Sequence, residues 1–243
     1  MTADAMHLTA EERVARARAD LRIGAPVVLT APAGVGSENL GPAAAVILAA
    51  ETLSAERVAA LADLAPSAVD LVITGRRAET LRARAYDGDV ARIVLDGAAL
   101  RGIDWIRATA DPSVDMATPL KGPYLTRRGG GADLHRLAIV LAKQARLLPA
   151  VVVASFVDPA RATTLAAEAG LCILDAATVQ GAAGAAIRMR RVAGARVPLA
   201  LARHGRVHVF RPDDGGEEHY AVEVGQPDRA LPVLARLHSA CFT

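Results

Sequence analysis

Leu148-Pro149-Ala150-Val151-Val152-Val153-Ala154-Ser155-Phe156 is the stretch on which the fold class turns. From Pro149 to Phe156 it is apolar, rich in valine and too short for a buried helix. It therefore reads as a strand covered on both faces. Residues 133–147, just before it, have helical periodicity, with Leu134, Leu137, Ala138, Leu141, Ala142 and Ala145 on one face. Just after it, a second helix is expected over 158–169 and a short strand over 171–174. Helix, strand, helix, strand is the pattern of an α/β layer structure.

The same alternation extends toward the N-terminus. Thr9-Ala10-Glu11-Glu12 has the spacing of a capping box and predicts a helix to about Leu21, ended near Gly24. Pro26-Val27-Val28-Leu29-Thr30 reads as a short buried strand, and residues 31–42 as a loop punctuated by glycine. Residues 44–50 form a second apolar segment, and Ser54 is placed to cap a helix running to about Leu64. A strand is expected over 68–74, a helix over 76–84, a strand over 91–95 and a long Pro- and Gly-rich loop over 111–131. The fold class is α/β (α+β), a mixed sheet with helices.

The pattern changes near Pro198. Arg206-Val207-His208-Val209-Phe210-Arg211 alternates as a strand does, Asp213-Asp214-Gly215-Gly216 signals a turn, and residues 218–224 complete a hairpin. Residues 231–237 are expected to begin a further strand. A boundary near Ala195 divides the chain into residues 1–195 and 196–243.

Composition narrows the class. Hydrophobic residues are 52% and charged residues 22% of the 243, which excludes a disordered chain. A formal charge of +2 supplies no long-range field toward nucleic acid or a membrane. No apolar run reaches the length of a membrane span, and residues 1–20 lack the apolar core of a signal peptide. Two cysteines, Cys172 and Cys241, do not make a disulfide framework, so a cytoplasmic location is expected. The six histidines show no metal-ligand spacing; His204 and His208 lie four apart, but in a strand-forming stretch.

Toward the C-terminus the chain carries Glu218-His219-Tyr220-Ala221-Val222, then Gly225, then Pro232-Val233-Leu234-Ala235-Arg236-Leu237-His238-Ser239-Ala240-Cys241-Phe242-Thr243. This order of residues resembles the opening of the GTP cyclohydrolase II domain of riboflavin biosynthesis. The resemblance implies a zinc-dependent hydrolase that opens the imidazole ring of GTP and releases formate and pyrophosphate. It makes Cys241 the first of three zinc thiolates, and Arg236, His238 and Ser239 part of the GTP-binding segment. A forked guanidinium suits phosphate, and thiolates suit zinc. Two departures stand out. Ala240 replaces the family glutamate, and the C-D-C pair that brings the other two thiolates is not among these residues. The chain is therefore expected to be truncated within this domain and inactive alone, with no catalytic residue assigned.

Residues 11–186 resemble a 3,4-dihydroxy-2-butanone-4-phosphate synthase domain. The similarity runs through Gly24-Ala25-Pro26-Val27-Val28, Ala49-Ala50-Glu51, residues 71–81, Asp111-Pro112 and Leu148-Pro149-Ala150-Val151. That family holds magnesium with an acidic loop, D-R-E-N-E-G-D, and a later H-T-E. Here the loop reads Gly36-Ser37-Glu38-Asn39-Leu40-Gly41-Pro42, and the second site reads Leu134-His135-Arg136. Most of the hard oxygen ligands magnesium needs are gone. The resemblance implies a synthase fold without synthase activity, serving to hold the cyclohydrolase or its homodimer. The alternative is a non-catalytic assembly module derived from the synthase.

Overall fold

The computed structural model describes residues 7–32, 41–64, 69–96, 102–184, 188–200, 202–228 and 230–238. The chain forms two compact units, Met1–Ala185 and Ala186–Thr243. The division falls ahead of the strand at Met189–Arg196, whereas the sequence reading set it near Ala195. That strand pairs with the hairpin that follows it, so its hydrogen bonds assign it to the second unit.

The first unit begins with α1 (Ala10–Arg22), β1 (Val27–Thr30), β2 (Ala44–Ala49), α2 (Ala55–Leu64), β3 (Val69–Thr74) and α3 (Gly75–Leu81). It continues with β4 (Val90–Val94), α4 (Ile103–Ala110), α5 (Asp133–Gln144), β5 (Ala150–Phe156), α6 (Pro159–Ala169), β6 (Cys172–Asp175) and α7 (Ala176–Gly184). The sheet order is β4-β3-β5-β2-β1-β6. β1 and β6 run parallel, and every other neighbouring pair is antiparallel, so the sheet is mixed as the sequence pattern predicts.

Both sheet faces are covered. Along β5, Ala150, Val152, Ala154 and Phe156 join the core beneath α2, α3, α4 and α6, while Val151 and Val153 join the core beneath α1, α5 and α7. A fully buried valine contributes about 1.5–3 kcal/mol, which explains why a strand buried on both sides alternates so little in character. The apolar face of α5 packs as its period predicts: Leu134, Leu137, Ala138, Leu141, Ala142 and Ala145 are all buried.

The helix ends follow local chemistry. Thr9 Oγ1 accepts from the Glu12 amide while Glu12 Oε2 accepts from the Thr9 amide, which closes the capping box on α1. The turn from α1 to β1 passes through Gly24 at φ 76°, where a Cβ would lie 2.4 Å from the Thr52 carbonyl oxygen. Only glycine fits there without a shift.

The second unit is a three-stranded antiparallel sheet, β7 (Met189–Arg196), β8 (Gly205–Pro212) and β9 (His219–Val224), in the order β7-β8-β9. The expected hairpin is present, its turn carrying Gly215 at φ 73°. The strand expected over 231–237 is absent: residues 232–238 have no regular structure. An apolar run becomes a strand only where a neighbour takes its backbone hydrogen bonds. Among the described residues none does, and Leu234 and Leu237 stand fully in solvent.

Candidate functional site

β1 and β6 end side by side, with Thr30 opposite Asp175. β5 ends at the same edge, where Phe156 pairs with Ala44 of β2. Ends of parallel strands are the usual place for a ligand in sheets of this kind. A cleft of about 160 Å³ opens there, lined by Ala31 and Pro32 after β1, Gly41 and Pro42 before β2, and Gly131, Asp133, Leu134 and Leu137 around the start of α5. Ala176 and Gln180 of α7 close it.

Among the described residues the cleft is poor in chemistry. Asp133 and Gln180 are the polar side chains of its lining, and the Asp133 carboxylate already accepts from Arg136 at 3.0 Å. Arg136 also holds Asp89, with its Nε 2.9 Å from Oδ1. A magnesium ion needs several oxygen ligands, and the described lining offers one carboxylate that a guanidinium already neutralises. The residues described do not fit that ion. Glu38 and Asn39 of the expected acidic loop lie outside the described residues.

Between Leu134 and Leu137, His135 points to the sheet. Its Nε2 lies 3.7 Å from Asp70 Oδ2 and 3.5 Å from Ser155 Oγ. Asp70 sits on β3 and is buried, and Arg127 grips it from the loop before α5 with Nε and Nη2 at 2.8–3.0 Å. Burial alone would raise the Asp70 carboxyl, but the nearby His135 ring and the hydrogen bonds from Arg127 overcome that cost and hold it below the usual range. Asp70, His135 and Ser155 do not form a nucleophilic relay. Such a relay needs the acid on one ring nitrogen and the hydroxyl on the other, whereas here Nε2 faces both and Nδ1 is buried with no hydrogen-bond partner among the described residues. Beside this group, Arg92 on β4 is also buried, bonded to both oxygens of Asp87 and to the carbonyls of Gly129 and Gly130. The two arginines fasten the glycine-rich loop to the sheet.

Of the four site residues expected from the sequence, two fall among the described residues. Arg236 and His238 are exposed in the irregular segment, and Ser239 and Cys241 lie outside the described residues. Cys172 is buried at the start of β6, its Sγ 3.6 Å from the Arg13 carbonyl oxygen, and burial pushes its thiol up. His208, on β8, pairs with Glu223 at 3.0 Å. Among the described residues no group of three His, Cys, Asp or Glu side chains is placed to hold a metal ion, and no helix is long and apolar enough to cross a membrane. Asp70 was the residue the sequence reading passed over. Its signal is a single carboxylate inside the apolar run Val69-Asp70-Leu71-Val72-Ile73, a burial that requires a partner.

No protein-family model matches the chain. GTP cyclohydrolase-2 of Azospirillum brasilense is 35% identical to it over 240 residues, which cover 98% of this chain and 60% of that protein. The chain is thus similar to a GTP cyclohydrolase-2 along nearly all of its own length. GTP cyclohydrolase-2 of Xylella fastidiosa (strain 9a5c) is 28% identical over 237 residues, 97% of this chain and 54% of that protein. The chain thus spans little more than half the length of these curated relatives.

Among solved structures, a two-domain 3,4-dihydroxy-2-butanone 4-phosphate synthase from A. baumannii aligns with a TM-score of 0.51 and 17% identity over 86% of this chain and 69% of that one. A cation-free form of a 3,4-dihydroxy-2-butanone 4-phosphate synthase aligns with a TM-score of 0.50 and 13% identity over 69% of this chain and 94% of that one. At these identities the likeness is one of fold. The chain therefore shares a fold with these synthases, as the resemblance in the sequence implies.

Proposed function

We propose that the chain serves riboflavin biosynthesis as a GTP cyclohydrolase II relative whose first unit is a synthase-type scaffold without chemistry of its own. The observation that carries this reading is the 35% identity with a GTP cyclohydrolase-2 along 98% of the chain. In this reading the protein acts in the cytoplasm as a homodimer, with GTP as the substrate of its family. Arg236, His238 and Ser239 belong to the nucleotide-binding segment, and Cys241 is a zinc thiolate.

Zinc does not fit these 243 residues taken by themselves. The family reaction needs three thiolates; the sequence offers Cys172 and Cys241, and Cys172 is buried in the first unit. The chain by itself is expected neither to hold zinc firmly nor to open GTP. The test is zinc content after dialysis together with formate release from GTP, both on the 243-residue protein. Sub-stoichiometric zinc and no formate support the reading, whereas one zinc per chain with formate production overturns it.

The purely structural reading of the first unit has support of its own. Asp70 is held by Arg127 beside His135, Asp87 is held by Arg92, and none of the five lines the cleft. Titration calorimetry with ribulose 5-phosphate and magnesium should give no binding heat; a saturable heat would return a sugar-phosphate role to the cleft.

A further inference from the structure

Asp70 lies on the face of β3 that α5 covers. Its cross-strand neighbours are Val94 of β4 and Val153 of β5, so the strand side chains beside it offer no hydrogen bond. His135 comes down from α5 with its side chain 2% exposed, Nε2 toward Asp70, and its Nδ1 has no partner among the described residues. A buried polar atom left unpaired costs free energy, and it marks a place where a further polar group would be stabilised.

The side chain that reaches this place is Arg127, and its backbone is pinned. Thr126 bridges to Ile93, the Val94 amide donates to the Leu125 carbonyl, and the Arg127 amide donates to the Arg92 carbonyl, both at 2.8 Å. Further along, Arg92 holds the carbonyls of Gly129 and Gly130. The Arg127 side chain has no such anchorage: its described hydrogen bonds all go to Asp70. It is also 32% exposed, against 1% for Asp70. The guanidinium can therefore swing into water about its own rotatable bonds while the backbone stays on β4. Asp70 then keeps one donor within reach, because His135 Nε2 lies 3.7 Å from Oδ2 and must close by only about 1 Å to hydrogen-bond.

We infer that Asp70, with His135 beside it, is a binding site for one guanidinium group, and that the chain's own Arg127 is its removable plug. The hold of Nε and Nη2 on both carboxylate oxygens is one that a planar guanidinium matches and a single ammonium does not. Val153 is fully buried and keeps water from one side of the carboxylate, which strengthens the pairing. A free alkylguanidinium must compete with the tethered arginine. The native chain's affinity is thus the site's own affinity reduced to the fraction of time the plug is out. The inference concerns the first unit alone and stands whichever reaction the protein serves.

The test uses the full chain and methylguanidinium chloride, with sodium chloride as the control for ionic strength. In titration calorimetry Arg127→Ala should take up one methylguanidinium per chain, and its thermal midpoint should rise as the site fills. The native chain should bind more weakly by about ten-fold or more. Arg127→Ala combined with Asp70→Asn should not bind, and methylammonium should bind Arg127→Ala less tightly than methylguanidinium does. The absence of saturable heat with Arg127→Ala overturns the proposal. So does binding that survives the added Asp70→Asn, an equal affinity in the native chain, or methylammonium held as tightly. If Arg127→Ala does not fold unaided, methylguanidinium should restore its melting transition, and failure to restore it overturns the proposal.

Discussion

Asp70 and Arg127 form a two-pronged ion pair under α5, with Nε and Nη2 of the guanidinium 2.8–3.0 Å from the carboxylate oxygens. Asp70 is 1% exposed and Arg127 32%, so the acid depends on the base more than the reverse. Asp70→Asn strands a guanidinium and leaves His135 without its charged neighbour. Loss of one partner of a buried pair costs several kcal/mol; with Arg127 partly in water, about 2–3 kcal/mol is expected. Urea unfolding followed by Trp105, the sole tryptophan and a residue of the first unit, measures it. Asp70→Leu combined with Arg127→Met should recover most of the loss.

The same pair sets an acid dependence. The Asp70 carboxyl is lowered in the folded state, so its stabilisation is complete above the unfolded value of about pH 4 and drains as pH falls through the folded value. Asp175 is lowered as well, chiefly by the Thr178 hydroxyl at 2.7 Å and the Thr178 amide. The first unit should lose stability steadily below about pH 4, and Asp70→Asn should flatten that acid limb. An unchanged slope in the variant would remove Asp70 as its source.

Arg77 of α3 ties down the chain after α4. Its Nε donates to the Thr109 carbonyl at 2.9 Å, its Nη2 to the Asp111 carbonyl at 3.2 Å, and both terminal nitrogens reach the Asp115 carboxylate, which Lys121 also contacts. Arg77→Ala should cost about 2 kcal/mol. It should also raise hydrogen exchange and protease cleavage across residues 111–121, with little change in α5 or β5.

Gly24→Ala asks for a side chain at positive φ and 2.4 Å from the Thr52 carbonyl oxygen. The joint of α1 with β1 must shift, at about 2 kcal/mol or more. Gly170→Ala, also at positive φ but with open space around the added Cβ, should cost less. The difference between their thermal midpoints checks the steric part.

By contrast, Arg236→Ala and His238→Ala should leave the melting curve unmoved within about 0.5 kcal/mol, because both side chains lie in solvent. A larger effect would mean that the irregular segment packs against something.

Most of the first unit was legible because its elements are short, apolar and separated by clear breaks. Residues 149–156 and the face of α5 are read from period and composition alone. β7 was not: all eight of its residues are exposed and six of them are arginine, glycine or alanine without alternation, so only pairing with β8 makes it a strand. Residues 231–237 failed in the opposite sense, with apolar character but no strand beside them. At the candidate site, loss of acidic ligands was visible as Leu134-His135-Arg136. The Asp70–Arg127 pairing was not, because it joins residues far apart in sequence through a loop with no regular period.

β1 lies between β2, which follows it closely in the chain, and β6, one of the last strands of its unit. Its parallel seam with β6 is therefore sealed late. During synthesis, the Val27–Thr30 backbone remains open along one side until Cys172–Asp175 has emerged, a non-local step that slows folding. A ribosome pause shortly before that point would lengthen the exposure of an aggregation-prone rim, so translation tempo near codon 172 should influence soluble yield more than tempo elsewhere.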